Sequence, residues 1–179
     1  MSKSIEAWKY PIGKFIPKDN YTIEEVKAAI KELKAFPKQL KATLAHCPKN
    51  KWNQPYRPGG WTMSQLVHHI ADSHMHAYIR CKFAYLEDAP TIKAYQEQHW
   101  AEKSPDVCTE NIDASLSIIE GVHQRWTYFF EQLSTVELAL SYQHPERDQP
   151  YTLAEVACFY AWHANHHHAH LREALNHQQ

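Results

Sequence analysis

Three times in this 179-residue chain a threonine stands three residues ahead of a glutamate or glutamine: Thr22 with Glu25, Thr62 with Gln65, and Thr152 with Glu155. That spacing lets side chains and backbone satisfy the orphaned amides of a helix start. An apolar repeat of helical period follows each box, and a fourth repeat runs without one from about Ile112 to Leu133. Each of these helices is about 22–25 residues, or ~35 Å long. Four amphipathic helices of equal length bury their stripes best against one another. The expectation is an all-α four-helix bundle, one domain over residues 1–179.

In the first helix Val26, Ile30, Leu33, Leu40 and Leu44 keep a 4-3 spacing, with Pro37 in the intervening slot. Proline clashes inside a helix, so a kink or restart is expected near Phe36. The second helix runs from Met63 to about Glu87, with Leu66, Ile70, Ser73, Ala77 and Ala84 inward. In the third, Ile112, Ile119, Trp126 and Leu133 alternate with Leu116, His123 and Phe130. The fourth runs from Leu153 to about Leu175. A long connection, Glu87 to about Asn111, separates the second and third helices and is long enough for a crossover or lid. Residues 1–21 read as an N-terminal arm, with YPIGKFIPKD from Tyr10 to Asp19 extended along the bundle. No alternating β pattern persists.

Charge and composition exclude several classes. Lys plus Arg is 19 against 20 for Asp plus Glu, so no basic footprint for nucleic acid is expected. No apolar run approaches the ~20 residues of a membrane span, and the first residues lack a signal-peptide core. The four cysteines, Cys47, Cys81, Cys108 and Cys158, are widely spaced without CxxC. They read as reduced thiols of a cytoplasmic protein.

The chemistry is concentrated in YAWHANHHHAHL, Tyr160 to Leu171, which holds five of the fourteen histidines. The inner stripe of the fourth helix begins at Val156 and Tyr160 and then lands on His163, His167, His170 and Ala174. Stacked core imidazoles need partners that packing alone does not give, and a metal supplies them. His163 and His167 are i and i+4, close enough for both rings to reach one ion. On the second helix His69 lies with Leu66, Ile70 and Ser73, which makes it the third ligand. His68 points away with Ser64, Asp72 and Met75. His76 and Arg80 continue the line of His69 as a polar stripe able to line a pocket; the plainer reading of Arg80 is an ion pair at the bundle edge. His123 reads as a core histidine bonded to a carbonyl. His166 and His170 form a rival pair, with His166 beside Trp162; His170 alternatively supports a ligand from outside. His168 reads as solvent-facing.

On these residues the chain resembles the YfiT-like branch of the DinB-like proteins, four-helix bundles named as metal-dependent hydrolases. The matching motifs are YPIGKF at Tyr10, PYRPGGWT at Pro55, VHHIADSHMHAYIR at Val67, PTIKAY at Pro90, YQHPE at Tyr142 and YAWHANHHHAHL. The resemblance covers nearly the whole chain. Its metal triad, one histidine of the second helix and an HxxxH pair of the fourth, falls on His69, His163 and His167. It implies one divalent transition metal per chain, with zinc or nickel first. It also implies a homodimer, for which Trp8, Tyr85, Trp100 and Phe129 suggest an aromatic surface. Relatives within the superfamily are thiol S-transferases that use a low-molecular-weight thiol such as bacillithiol.

Three neutral histidines leave an ion with open positions, the mark of a catalytic site. In a hydrolase the ion acidifies a bound water; in a thiol transferase it holds a thiolate. A third reading has no enzyme at all, only a metal-storing or sensing bundle. No glutamate stands between the ligand histidines, so the general base is open. Asp72, Glu146 and Arg80 are the candidates to assist, acting on a small-molecule substrate.

Overall fold

The computed structural model describes residues 4–176; residues 1–3 of the arm and 177–179 lie outside it. Four long helices form the bundle: α2 (Ile23–Leu44), α3 (Met63–Leu86), α5 (Asp113–Glu131) and α6 (Leu153–Asn176). Two short ones are α1 (Ile5–Lys9) and α4 (Glu97–Lys103). α2 and α3 each pack against both α5 and α6. Consecutive α2 and α3 are therefore diagonal, as are α5 and α6, and the chain crosses an end of the bundle over residues 45–62 and again over 132–152.

The expected caps form at α2 and α3, where Thr22–Glu25 and Thr62–Gln65 make complete reciprocal boxes. The third is half a box. Thr152 Oγ1 accepts the Glu155 amide at 3.1 Å, but the Glu155 carboxylate turns to Arg147 at 2.8 Å. The restart expected near Phe36 does not occur: α2 is continuous through Pro37. The second correction concerns strands. Ser141–Tyr142 (β1) and Tyr151–Thr152 (β2) pair antiparallel, Ser141 opposite Thr152 and Tyr142 opposite Tyr151. Two residues are too few to show an alternating pattern.

The apolar stripes meet as expected. Leu33, Leu40, Leu66, Ile70, Ile119, Trp126, Phe130, Leu153 and Val156 are all buried. The arm opens with the single turn of α1 and then lies along α6. Phe15 packs on Phe159, and the Trp162 indole N–H donates to the Gly13 carbonyl at 3.2 Å. The connection after α3 folds back over it, carrying α4 and a 3-10 turn at Pro105–Val107. The first half of α3, Met63 to His74, thereby has no exposed residue, which overturns the expectation for His68. It is only 5% exposed, bonded through Nδ1 to Ser115 Oγ at 2.8 Å and through Nε2 to the Thr109 carbonyl at 3.2 Å. His168 is likewise half-buried rather than solvent-facing, with Nε2 2.7 Å from Thr43 Oγ1. No helix among the described residues is long and apolar enough to cross a membrane, and all four cysteines are free.

Candidate metal centre

α3 presents His69 inward, and α6 presents His163 and His167 one turn apart. Their ligand nitrogens all lie within 4.8 Å of one another, and all three residues are buried. The Nε2 atoms of His163 and His167 are 3.1 Å apart. Two nitrogens ~2.0–2.1 Å from one ion would have that separation at an angle of about 100°. His69 Nε2 and His167 Nδ1 are buried without a hydrogen bond. Burial, the leading cause, holds His69 down to about 3 and His163 and His167 well below the ordinary imidazole value; neighbouring imidazoles add to it. Neutral rings with free lone pairs are what a divalent ion requires. The donor set fits zinc, nickel or another imidazole-binding transition ion.

The proton on His163 is placed by a relay that begins in α2. Pro37 has no amide hydrogen, so the Leu33 carbonyl four residues earlier lacks its helical donor. His123 of α5 supplies the missing bond: its Nδ1–H donates to Leu33 O at 2.7 Å. His123 Nε2 must then accept, and His74 Nδ1 lies 2.7 Å away to donate. His74 Nε2 in turn accepts from His163 Nδ1 at 2.9 Å. The direction set at Leu33 thus fixes each neutral ring in succession. His163 carries its proton on Nδ1 and presents the Nε2 lone pair to the triad, the usual device for orienting a histidine ligand. The relay is flanked by Phe36 and Trp126, and its dryness keeps His123 near 4 and His74 well below the ordinary range. The proline inside α2 has its explanation here: the carbonyl it leaves without a donor is taken by His123.

In front of the triad stands Glu97, first residue of α4, its Oε1 3.3 Å from His69 Nε2. Partial burial and the nearby Glu146 push its carboxyl above the ordinary range. Trp61 covers His69 at 4.9 Å between rings. It follows the Gly59–Gly60 turn, where Gly59 has φ +66° and a Cβ on Gly60 would lie 2.7 Å from Arg57 Cγ. Tyr160 meets His163 on the same helix at 5.4 Å between rings.

The structure brings His69, His163 and His167 together. It also brings together the rival set, His166, His167 and His170, within the same 4.8 Å. His166 stacks on Trp162 at 4.6 Å, and His170 Nε2–H donates to the Trp8 carbonyl at 3.0 Å, so the arm closes over both. His123 is bonded to a carbonyl as expected. Asp72 is not among the triad's partners. It sits under the connection near Asp106, its carboxyl raised to about 6 by burial first and that charge second. Arg80 makes no ion pair among the described residues, so the bundle-edge pair is not formed. Sequence reasoning missed His74 and Glu97. His74 continues the Ile70 stripe at i+4, a core register that could have exposed it; Glu97 lies in a connection with no periodic signal.

A family model described as the DinB superfamily matches residues 22–171. A Bacillus cereus protein named "Putative metal-dependent hydrolase" is 41% identical over 171 residues, 94% of this chain and 97% of its own. A Bacillus anthracis protein of the same name is 40% identical over the same shares. The solved structure of YfiT from Bacillus subtilis, "a probable metal-dependent hydrolase with an unusual four-helix bundle topology", superposes with TM-score 0.90 at 35% identity, over 94% of this chain and 95% of that one.

Proposed function

The chain belongs to the DinB superfamily, and on that premise we propose that it is a metal-dependent hydrolase of a small-molecule substrate. The carrying observation is Glu97. A carboxylate 3.3 Å from a buried triad histidine supplies the general base that the ligand helix lacks. Held by His69, His163 and His167, a divalent ion such as zinc or nickel would supply Lewis acidity and a water of pKa near 7. Glu97 takes the proton of the attacking water and returns it to the leaving atom. Its raised carboxyl suits both halves of that exchange. Trp61 covers the His69 ring on one side of the reacting atoms. Asp72 lies away from the triad and is proposed only to support the connection that carries Glu97.

Glu97→Gln is expected to lower ester or amide hydrolysis by about 10²–10⁴-fold with metal content unchanged. Hydrolysis rates and metal analysis on the same zinc-loaded samples check both halves. Thiol transfer is the other outcome of this assay. Conjugation of monochlorobimane that needs both metal and an added thiol, with no cleavage in its absence, would replace hydrolysis by transfer.

A homodimer is proposed as well. Ile79, Phe83 and Leu86 form an exposed apolar row on α3, 42%, 44% and 70% exposed, beside exposed Tyr85 and Trp100; Trp8 and Phe129 are half-buried and offer less. Light scattering should return twice the chain mass at micromolar concentration, and a monomer mass would remove the proposal.

A further inference from the structure

Arg80 is 7% exposed, yet its guanidinium has almost no partners. One Nη–H reaches the Lys93 carbonyl at 3.4 Å, Nε is buried with no hydrogen bond, and no carboxylate lies within ion-pair distance among the described residues. A buried cation so poorly paired is costly unless something else completes it. It lines a cavity of about 830 Å³ together with His76, Lys93, Tyr95, His99 and Trp100. That volume is in the range of small-molecule sites. The lining is aromatic as well as cationic: Tyr95 stacks on His76 at 4.2 Å, Trp100 meets both rings edge-on, and Arg80 stands over Tyr95.

We infer that this cavity is the recognition subsite for the substrate of the triad, and that Arg80 binds a carboxylate on that substrate. The inference rests on the hydrolase reading for what happens at the other end of the molecule. Residues 95–97 join the two places: Tyr95 and Gln96 line the cavity, and Glu97 reaches His69. Arg80 is eleven residues beyond His69 on one helix, so anchor and reacting bond lie about 15 Å apart at ~1.5 Å of rise per residue. The substrate is therefore an elongated organic acid. Its carboxylate meets the planar guanidinium in a two-pronged, charge-assisted contact, and its flat apolar middle lies against Tyr95 and Trp100. Asp106 also lines the cavity and favours a substrate with one negative charge over one with two.

Calorimetric titration with 3-phenylpropionate, and with its neutral amide, tests the subsite without turnover. Metal-free protein is used first, because a carboxylate can also ligate an ion. The parent chain should bind the acid at least tenfold more tightly than the amide. Arg80→Met should erase that preference and leave amide binding unchanged, while Arg80→Lys should keep part of it. Equal binding of acid and amide by the parent would overturn the inference. So would an unchanged acid preference in Arg80→Met. If Arg80→Met does not fold, judged by its helical circular dichroism, the comparison of acid and amide on the parent, together with Arg80→Lys, still decides. Acid binding that depends on Arg80 in a protein that hydrolyses no ester would leave the subsite standing and sink the hydrolase reading.

Discussion

Lowering the pH from 7 to 5.5 is expected to strip several kcal/mol from the stability of the metal-free chain and to unfold it cooperatively before pH 4.5. His69, His74, His123, His163, His166 and His167 are all buried, and burial is the first cause of depression in each; His69 is held near 3, His123 and His166 near 4, and the others well below the ordinary value. In the unfolded chain each titrates near 6.5. The unfolded state therefore binds more protons below that value, and stability falls with pH. The contribution is whole above about pH 6.5 and drains as pH falls toward the folded values. One unit below 6.5 each ring costs about 1.4 kcal/mol, or about 8 kcal/mol for six, comparable to the ~5–15 kcal/mol that holds a domain together. Asp72, raised to about 6 by burial and by Asp106, works in the opposite direction and recovers only part of this. Urea titrations at pH 7 and 5.5, with helical circular dichroism followed to pH 4, measure it. An unchanged urea midpoint would show that the imidazoles are open to protons in the folded state. Metal-loaded protein should unfold at lower pH, since an ion that binds only the folded state adds to its stability. The folded ligands resist protons because they are buried, so loss of metal should accompany unfolding.

Much of this was legible in the chain. The capping boxes and the 4-3 stripes located four helices to within a residue or two, because both signals are local. The register of α6 placed His163 and His167 on the inner face, since helical period and burial coincide there. What stayed hidden depended on contacts between distant segments. Pro37 reads as a breaker until His123, from another helix, takes the carbonyl it frees. His68 reads as outward because nothing local says that residues 104–109 will fold over it. Glu97 reaches His69 from a short helix inside a connection, where no period constrains it. The diagonal order of the helices, likewise, is set by long crossings.

The second large effect concerns the ligands. His69→Ala, His163→Ala and His167→Ala should each abolish tight binding of one ion per chain, because each removes a third of the protein's share of one coordination sphere. His74→Phe should weaken it by about 10–100-fold. Without the acceptor at His74 Nε2, nothing fixes the proton of His163 on Nδ1, so Nε2 is no longer reserved for the ion. His68→Ala should keep metal affinity and lose stability, since it breaks the bonds to Ser115 and Thr109. His168→Ala should leave binding nearly intact.

His167 belongs to both histidine sets, so its loss cannot tell them apart; His69 and His166 can. Zinc titration by calorimetry of His69→Ala and His166→Ala beside the parent is the direct test. The triad predicts one ion per parent chain, no tight binding in His69→Ala, and near-parental binding in His166→Ala. Near-parental binding in His69→Ala together with its loss in His166→Ala would place the ion with His166, His167 and His170, and would contradict the site described above.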